Sequence, residues 1–518
     1  MMWRMVEPPV RSLSAIENFL AQNSSSKLSQ SGNSNTGSLA ARISGITSHA
    51  QSVVEGDLFV ALPGTSVHGA QFSELAQNRG AAAILTDHAG SQILESTNSG
   101  NLPTLVIDSP RRHLGDLAAW FYSHPLRSMF SAGITGTNGK TTVSTLLYQL
   151  WRDASIEAGL IGTLGTFISG DSATGSRTTP EADELQNMFA VMKERHVKNV
   201  AMEVSSHALS QHRVDGVRFS VAGFTNLTQD HLDFHGSMSE YFAAKAKLFT
   251  LERADKAFIM IDSDYGRDLA KKCEIPYVTL SRSDRNATWH ISQAIRTSQG
   301  WDISLRGEGG IFIEGSLPLL GEHNIDNALL AIALAVESGL DPLFVGTQLR
   351  NLRGAPGRLE KVEVGQAFHA LVDYAHTPDA VERVLTSAKE FTDGKIIAVL
   401  GCGGNRDRSK RPLMGKALLD GSQVAIFTSD NPREENPEAI LKEMVAGLSL
   451  SNPHAVITDR RAAISYAVSL ANPGDTVLLL GKGHESGQEI NGTIYPFSDR
   501  DELAQAISQT LADSKVGK

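Results

Sequence analysis

From residue 129 onward the sequence alternates short apolar runs with helical patterns, and a glycine-rich or polar turn separates each pair. "FSAGITGTNGKTTVSTLLYQLW", "NVAMEVSSHAL", "VAGFTNLTQDHLDFHG" and "AFIMIDSDYG" follow one another in this style. A second series starts after "NLRGAPGRLE" (351–360) with "FHALVDYAHTPDAVERVL", "KIIAVLGCGGNRD", "SQVAIFTSDNPR" and "DTVLLLGKGHE". Strand signals that alternate with helix signals imply a mostly parallel sheet covered by helices on both faces. Upstream, "GDLFVALPG" and "AAAILTD" read as strands of a smaller α/β unit. A chain of 518 residues also exceeds what one core supports. The sequence therefore predicts an α/β protein of three domains. These are a small N-terminal α/β domain over 1–123, a central P-loop-type parallel-sheet domain over 124–352 and a C-terminal Rossmann-like domain over 353–518. Residues 22–38, "QNSSSKLSQSGNSNTGS", are nearly uncharged, cannot bury a core and read as a flexible loop or linker.

Composition narrows the function classes. A net charge of −10 at pH 7 argues against the basic face that non-specific nucleic-acid binding needs, so no nucleic-acid partner is expected. The two cysteines, Cys273 and Cys402, can form neither a disulfide framework nor a zinc cluster, which fits a reducing compartment. No run reaches the ~18 consecutive apolar residues of a membrane span. "MMWRMVEPPVRS" lacks the apolar segment of a secretory signal. A cytoplasmic, monomeric enzyme with no membrane partner is the expectation.

"GITGTNGKTT" sets Gly136, Thr137, Asn138, Gly139, Lys140, Thr141 and Thr142 between an apolar strand and the helical "TVSTLLYQLW". The glycines let backbone N–H groups curl around a phosphate, and the helix N-terminus adds partial positive charge. Lys140 would reach the β- and γ-phosphates, and the Thr141 hydroxyl would ligate Mg²⁺. Counted from Gly136, the loop is shorter than the usual Gly-x-x-x-x-Gly-Lys. Its strand–loop–helix context favours ATP or GTP over a glycine turn without a ligand.

Other polar residues stand at strand ends or in turns, and each has a plain structural reading beside a functional one. Glu203 ends the strand-like "NVAMEV", where a carboxylate is either solvated or placed for Mg²⁺. His231 in "TQDHLD" offers a second ligand or belongs to a helix cap. Asn324 and Asn327 in "GEHNIDNALLA" lie one helical turn apart, as a capping pair or as amides for an adenine edge. Thr178 and Thr179 precede Pro180 as a helix entry or as hydroxyls for a ligand. Asp430-Asn431-Pro432-Arg433, directly after an apolar run, is turn chemistry on its own.

Several motifs, in order and across essentially the whole chain after residue 43, resemble the Mur ligases and their relatives the folylpolyglutamate synthetases. They include "TGTNGKTT", "TTPEADEL", "MEVSSHALSQHR", "FTNLTQDHLDFHG", "YFAAKAKLF", "GEHNIDNALLA", "GAPGRLE", "DYAHTPDA", "GCGGNRDRSKRP", "DNPREENP" and "GKGHE". The resemblance implies ATP and Mg²⁺, with a carboxylate phosphorylated and then attacked by an amine while metal and cationic side chains screen the negative charge. It implies Lys140, Glu203, His231 and Lys245 at the reaction centre. Lys245 would be carried as a carbamate (N6-carboxylysine) that binds metal with Thr141, Glu203 and His231. Asn324 and Asn327 would lie near the base, and Arg358 and Asp373 would meet phosphate and ribose. The implied donor is UDP-N-acetylmuramoyl-L-Ala-D-Glu, held by Thr178, Thr179, Ser205, Gln211 and Arg213, with its uridine end near "GTSVHGAQF" (64–72). Many relatives carry Asp-Ser-Arg before "GDLF"; this chain reads His49-Ala50-Gln51, which leaves Ser48 as the substitute candidate.

The family's diaminopimelate-adding members carry Asp-Asn-Pro-Arg at 430–433. meso-Diaminopimelate has a distal carboxylate and ammonium, lysine the ammonium alone, and an arginine fork binds carboxylates in bidentate fashion. The resemblance therefore implies that Arg406, Asp430, Asn431, Pro432, Arg433, Gly481 and Glu485 read meso-diaminopimelate. L-Lysine or another diamino acid, and a folylpolyglutamate synthetase-like reaction, are the enzymatic alternatives. A non-catalytic nucleotide-binding scaffold would have no need to keep Lys140, Glu203, His231 and Lys245 together.

Overall fold

The computed structural model describes residues 3–23, 29–31, 40–64, 66–96, 102–173, 175 and 177–516. Three α/β domains fold as two compact units. One comprises residues 1–292, 305–313 and 326–348, the other 293–304, 314–325 and 349–518. In the second unit Lys361 Nζ donates to the Gln299 carbonyl (2.5 Å), and Arg296 lies 3.7 Å from Asp393.

In the N-terminal domain the strands Thr104–Val106, Ala83–Thr86, Asp57–Val60 and Gly45–Thr47 lie side by side in that order, all parallel. Their apolar residues pack with Leu13, Ile16 and Leu20 of the helix Leu13–Asn23 and with Leu114, Leu117 and Phe121 of Pro110–Phe121. Most of the serine-rich segment 22–38 lies outside the described residues. Within it, Gln22 and Asn23 finish the first helix, and Ser29–Ser31 pairs antiparallel with Thr104–Val106. An edge strand gains its ladder from backbone groups, so polar side chains do not prevent it.

The central domain is built on a parallel sheet that runs Ala158–Gly162, Asn199–Glu203, Phe130–Thr135, Phe219–Phe224, Ala254–Met260 and Tyr277–Ser281. An antiparallel hairpin, Gly165–Ile168 with Asp171–Ala173, closes one edge. Strands buried on both faces read as continuous apolar runs, as Asn199–Glu203 does with every residue buried. Parallel strands end at one edge, and Glu203 pairs with Ile134 while Thr135 pairs with Phe224. The loops after three neighbouring strands therefore emerge together, where α/β sheets bind ligands.

In the second unit the parallel strands run His369–Asp373, Thr476–Leu480, Ile396–Cys402, Val424–Ser429 and Ala455–Val456, with Glu360–Lys361 antiparallel at one edge. Helices Pro378–Phe391 and Lys410–Gly421 cover one face, and Arg460–Leu470 and Asp499–Val516 the other. Among the described residues no helix is long and apolar enough to cross a membrane.

Candidate active site

The phosphate loop joins the strand Phe130–Thr135 to the helix Lys140–Asp153. Gly136 (φ 151°) and Gly139 (φ 87°) hold backbone angles that L side chains rarely adopt. There is also no room for one: a Cβ on Gly136 would fall 1.9 Å from Thr225 Oγ1, and on Gly139 2.2 Å from Asn327 Oδ1. Lys140 Nζ donates to the Gly136 and Thr137 carbonyls at 2.9 Å each, so the cation lies over the loop. The loop after Phe219–Phe224 braces it. Asn138 N donates to Asn226 Oδ1 (3.0 Å), Thr225 Oγ1 to the Asn138 carbonyl (2.6 Å) and Thr228 N to Thr137 Oγ1 (3.0 Å).

Glu203 is the hub of the next strand end. Its buried carboxylate accepts from Thr141 Oγ1 (2.9 Å), Thr163 N (2.8 Å) and Thr163 Oγ1 (3.1 Å). Thr163 Oγ1 lies 3.1 Å from Thr178 Oγ1, and Thr179 Oγ1 donates to the Glu203 carbonyl (2.9 Å). Ser205 N donates to Thr179 Oγ1 (3.1 Å), and Ser205 Oγ accepts from Ala208 N (3.2 Å). Arg213 donates to the Thr179 carbonyl (3.2 Å) and to Gln211 Oε1 (2.5 Å). The expected metal and donor residues Thr141, Glu203, Thr178, Thr179, Ser205, Gln211 and Arg213 thus form one network. Thr141 Oγ1 and Glu203 Oε2 are hard oxygen donors of the kind Mg²⁺ takes, so this pair fits the ion.

Lys245 reaches the loop directly, and His231 through Tyr241. The Tyr241 hydroxyl lies 3.1 Å from Thr137 Oγ1, Lys245 Nζ stands 4.6 Å from the Tyr241 ring centroid, and His231 packs edge-on against that ring. Lys245 is buried on the helix Met238–Ala246 and donates to the Gly136 carbonyl (2.7 Å). Burial first, then the Lys140 charge, lowers its pKa well below the usual lysine value. His231 also stacks edge-on with His207. Among the described residues, no group of three or more His, Cys, Asp or Glu side chains that could hold a metal ion is present.

Toward the N-terminal domain, Ser48 donates to Asp183 through its amide (2.7 Å) and its hydroxyl (3.0 Å). Burial raises Asp183 to about 6. His49 lies 3.6 Å from Glu184.

In the second unit, Asp373 is buried and accepts from Leu359 N (2.8 Å) and Ala375 N (2.9 Å). Burial raises its pKa, with Arg358 acting against that. Arg358 lies over the Tyr374 ring (5.3 Å), and Asn324 Nδ2 donates to the Leu320 carbonyl (2.7 Å).

The Asp430–Arg433 loop follows the strand Val424–Ser429. A Cβ on Gly403 would lie 3.1 Å from Arg433 Nη1 and 3.7 Å from Arg406 Cγ, so both arginines flank this glycine. Lys482, fully buried, donates to Asn431 Oδ1 (3.1 Å), Glu485 Oε2 (3.0 Å) and the Gly487 carbonyl (2.7 Å), and lies 3.4 Å from Asp430 Oδ1. Asn431 Nδ2 donates to Glu485 Oε2 (2.8 Å). The structure thus brings Arg406, Arg433, Asp430, Asn431 and Glu485 to neighbouring loops. Pro432 and Gly481 shape the turns: a Cβ on Gly404 would meet the Pro432 carbonyl at 1.9 Å, and Gly481 takes φ 106°.

Sequence reasoning missed Thr163, Asn226, Tyr241 and Lys482. Each acts through a partner distant in sequence. The available signals were a polar Thr-Asn directly after an apolar strand and a lysine at the end of one.

The Mur ligase family catalytic domain matches residues 42–122, the Mur ligase middle domain 134–335, and the Mur ligase glutamate ligase domain 357–483. A Streptomyces coelicolor protein named UDP-N-acetylmuramoyl-L-alanyl-D-glutamate--2,6-diaminopimelate ligase is 46% identical over 477 residues, 91% of this chain and 94% of that one. An Aquifex aeolicus protein of the same name is 40% identical over 92% of this chain and 95% of its own. A solved structure of a ligase so named superposes with a TM-score of 0.67 at 31% identity, covering 97% of this chain and 99% of the other. By sequence, domain order and fold, the chain belongs to the Mur ligase family.

Proposed function

We propose that this chain is an ATP-dependent ligase that joins meso-diaminopimelate to the D-glutamate of UDP-N-acetylmuramoyl-L-Ala-D-Glu, releasing ADP and phosphate. The observation that supports the acceptor most is the loop set around Gly403. Arg406 and Arg433 flank the glycine, and Lys482 draws Asp430, Asn431 and Glu485 together. Guanidiniums suit the distal carboxylate, and carboxylates suit the distal ammonium. Relatives at 40–46% identity bear the name of a diaminopimelate ligase.

In this reading a carboxylate oxygen of the donor's D-glutamate attacks the γ-phosphorus of ATP, and ADP leaves. The acceptor amine then attacks the acyl carbon, phosphate leaves, and the nitrogen gives up a proton. Lys140 and the helix N-terminus beside Gly139 offset charge on the phosphates. Asn324, Asn327, Arg358 and Asp373 are assigned to the nucleotide. Thr178, Thr179, Ser205, Gln211 and Arg213 are assigned to the donor, with Ser48 offering hydroxyl lone pairs to its uridine end. Mg²⁺, held by Thr141 and Glu203 with His231 and a carbamate on Lys245, would neutralise phosphate charge. A neutral amine is what adds to CO₂, and burial biases Lys245 toward that form. The reading includes a monomeric, cytoplasmic enzyme without nucleic-acid or membrane partners.

ADP release assayed with each substrate omitted in turn tests the proposal. Release should need both the UDP-dipeptide and diaminopimelate. Release supported by a folate and glutamate instead would overturn it.

A further inference from the structure

The hairpin Gly487–Ile490 with Thr493–Pro496 lies beside the Asp430–Arg433 loop, and the reading above gives it no task. Its turn, Asn491-Gly492, has both residues at positive φ (48° and 75°), the geometry that a two-residue hairpin turn favours. That turn fixes the register, with Ile490 opposite Thr493 and Glu489 opposite Ile494. The hairpin then pairs with the loop. Arg433 N donates to the Glu489 carbonyl (3.0 Å), Asn491 N to the Arg433 carbonyl (2.7 Å), and Glu489 N to Asn431 Oδ1 (3.0 Å). Gln488 Nε2 donates to the Asp430 carbonyl (2.6 Å). These bonds hold Arg433 at φ 52°, a left-handed angle that a long side chain seldom adopts without such constraint.

The side chains add a second restraint. Arg433 Nε donates to Glu489 Oε2 (3.0 Å) and Nη1 to the Gly404 carbonyl (2.8 Å). A guanidinium has five N–H donors. Two are committed here, and among the described residues Nη2 makes no hydrogen bond. Glu489 holds the Nε side, so the Nη edge remains for a planar anion on the opposite side. Both side chains are partly exposed, 24% for Arg433 and 38% for Glu489, so a ligand can reach the pair and substitution of Glu489 leaves no buried gap.

We propose that Glu489 is a positioning residue for the acceptor, holding the Arg433 guanidinium so that its Nη edge faces the acceptor's distal carboxylate. The inference rests on the reading of Arg433 as the group that binds that carboxylate. Two effects oppose each other. The Glu489 charge repels an incoming carboxylate, while its hydrogen bond removes rotamer freedom that binding would otherwise have to freeze. Solvent and salt screen the repulsion between groups this exposed. The ordering effect remains, and it dominates.

Steady-state kinetics at saturating ATP and UDP-dipeptide, with diaminopimelate varied, test this. Glu489→Ala should raise the KM for diaminopimelate about tenfold, the size expected from freeing one rotamer-rich side chain, with kcat and the KM for ATP unchanged. Glu489→Gln keeps an oxygen that accepts from Arg433 Nε and should stay within about twofold of wild type, because the ordering bond survives. In an Arg433→Ala background, Glu489→Ala should add nothing, since its effect passes through Arg433. An unchanged or lower KM in Glu489→Ala, or an equal added loss in the Arg433→Ala background, would overturn the inference while leaving the role of Arg433 intact. An unchanged KM in Arg433→Ala alone would instead remove the acceptor reading, and the inference with it.

Discussion

Thr141 Oγ1 donates to Glu203 Oε2 across 2.9 Å, linking the first turn of the phosphate-loop helix to the end of the neighbouring strand. The contact exists because Glu203 pairs in parallel register with Ile134, two residues before the loop. The same carboxylate holds Thr163, whose hydroxyl faces Thr178, so one group connects the phosphate loop to the Thr178–Thr179 segment. Glu203→Gln, which keeps the shape and removes the charge, should lower ligation roughly 10²- to 10³-fold. Lys140→Ala should do the same with the fold intact. ADP release at fixed Mg²⁺, with circular dichroism as the folding control, measures both.

Lys245 should act as an anion when modified. Lys245→Ala should lose activity, and Lys245→Arg, a permanent cation, should not restore it. Mass spectrometry under conditions that preserve carbamates should find about 44 mass units added at Lys245 and none at the more exposed Lys247. An active Lys245→Arg enzyme would exclude the carbamate.

His207 makes stability depend on pH. Burial, with His231 and His235 alongside, lowers it from 6.5 to about 4. Between those values the unfolded chain binds a proton that the folded chain does not. The contribution is therefore complete above pH 6.5 and lost as the pH falls toward 4. His207→Phe, whose ring can still pack on Phe234, removes the titration. Its melting temperature should drop less than that of wild type between pH 7 and pH 4.5, and equal drops would contradict the assignment.

Arg460 and Asp499 form a fully buried pair, Nε to Oδ1 at 2.7 Å and Nη2 to Oδ2 at 2.6 Å. Asp499→Ala leaves a guanidinium buried without its counter-charge and should cost about 3–5 kcal/mol in urea unfolding. Replacing both residues with leucine should cost less, since no charge is then stranded.

The parts of this molecule legible in its sequence are those set by local chemistry. The phosphate loop announces itself through glycines between a strand and a helix, and Glu203 through its place at a strand end. The Asp430–Arg433 turn gains a functional reading only beside the family's other motifs. Tyr241 was hidden because its role arises from Thr137, more than a hundred residues away in sequence. Lys482 was hidden likewise: it ends an apolar run, and only the fold brings Asp430 and Asn431 to it. Asn491-Gly492 between Ile490 and Thr493 carries a local hairpin signal, but only the fold brings that hairpin to the Asp430–Arg433 loop.

Acceptor choice tests the central claim most directly. Wild-type enzyme given ATP, UDP-N-acetylmuramoyl-L-Ala-D-Glu and equal concentrations of meso-diaminopimelate and L-lysine would be followed by mass analysis of the UDP-linked product. A site whose guanidinium Nη edge awaits a carboxylate forgoes that charge-assisted pair with lysine, so the diaminopimelate product should exceed the lysine product by roughly 10²-fold or more. A predominant lysine product, or comparable amounts of the two, would contradict the account and return the Asp430–Arg433 loop to the role of a turn.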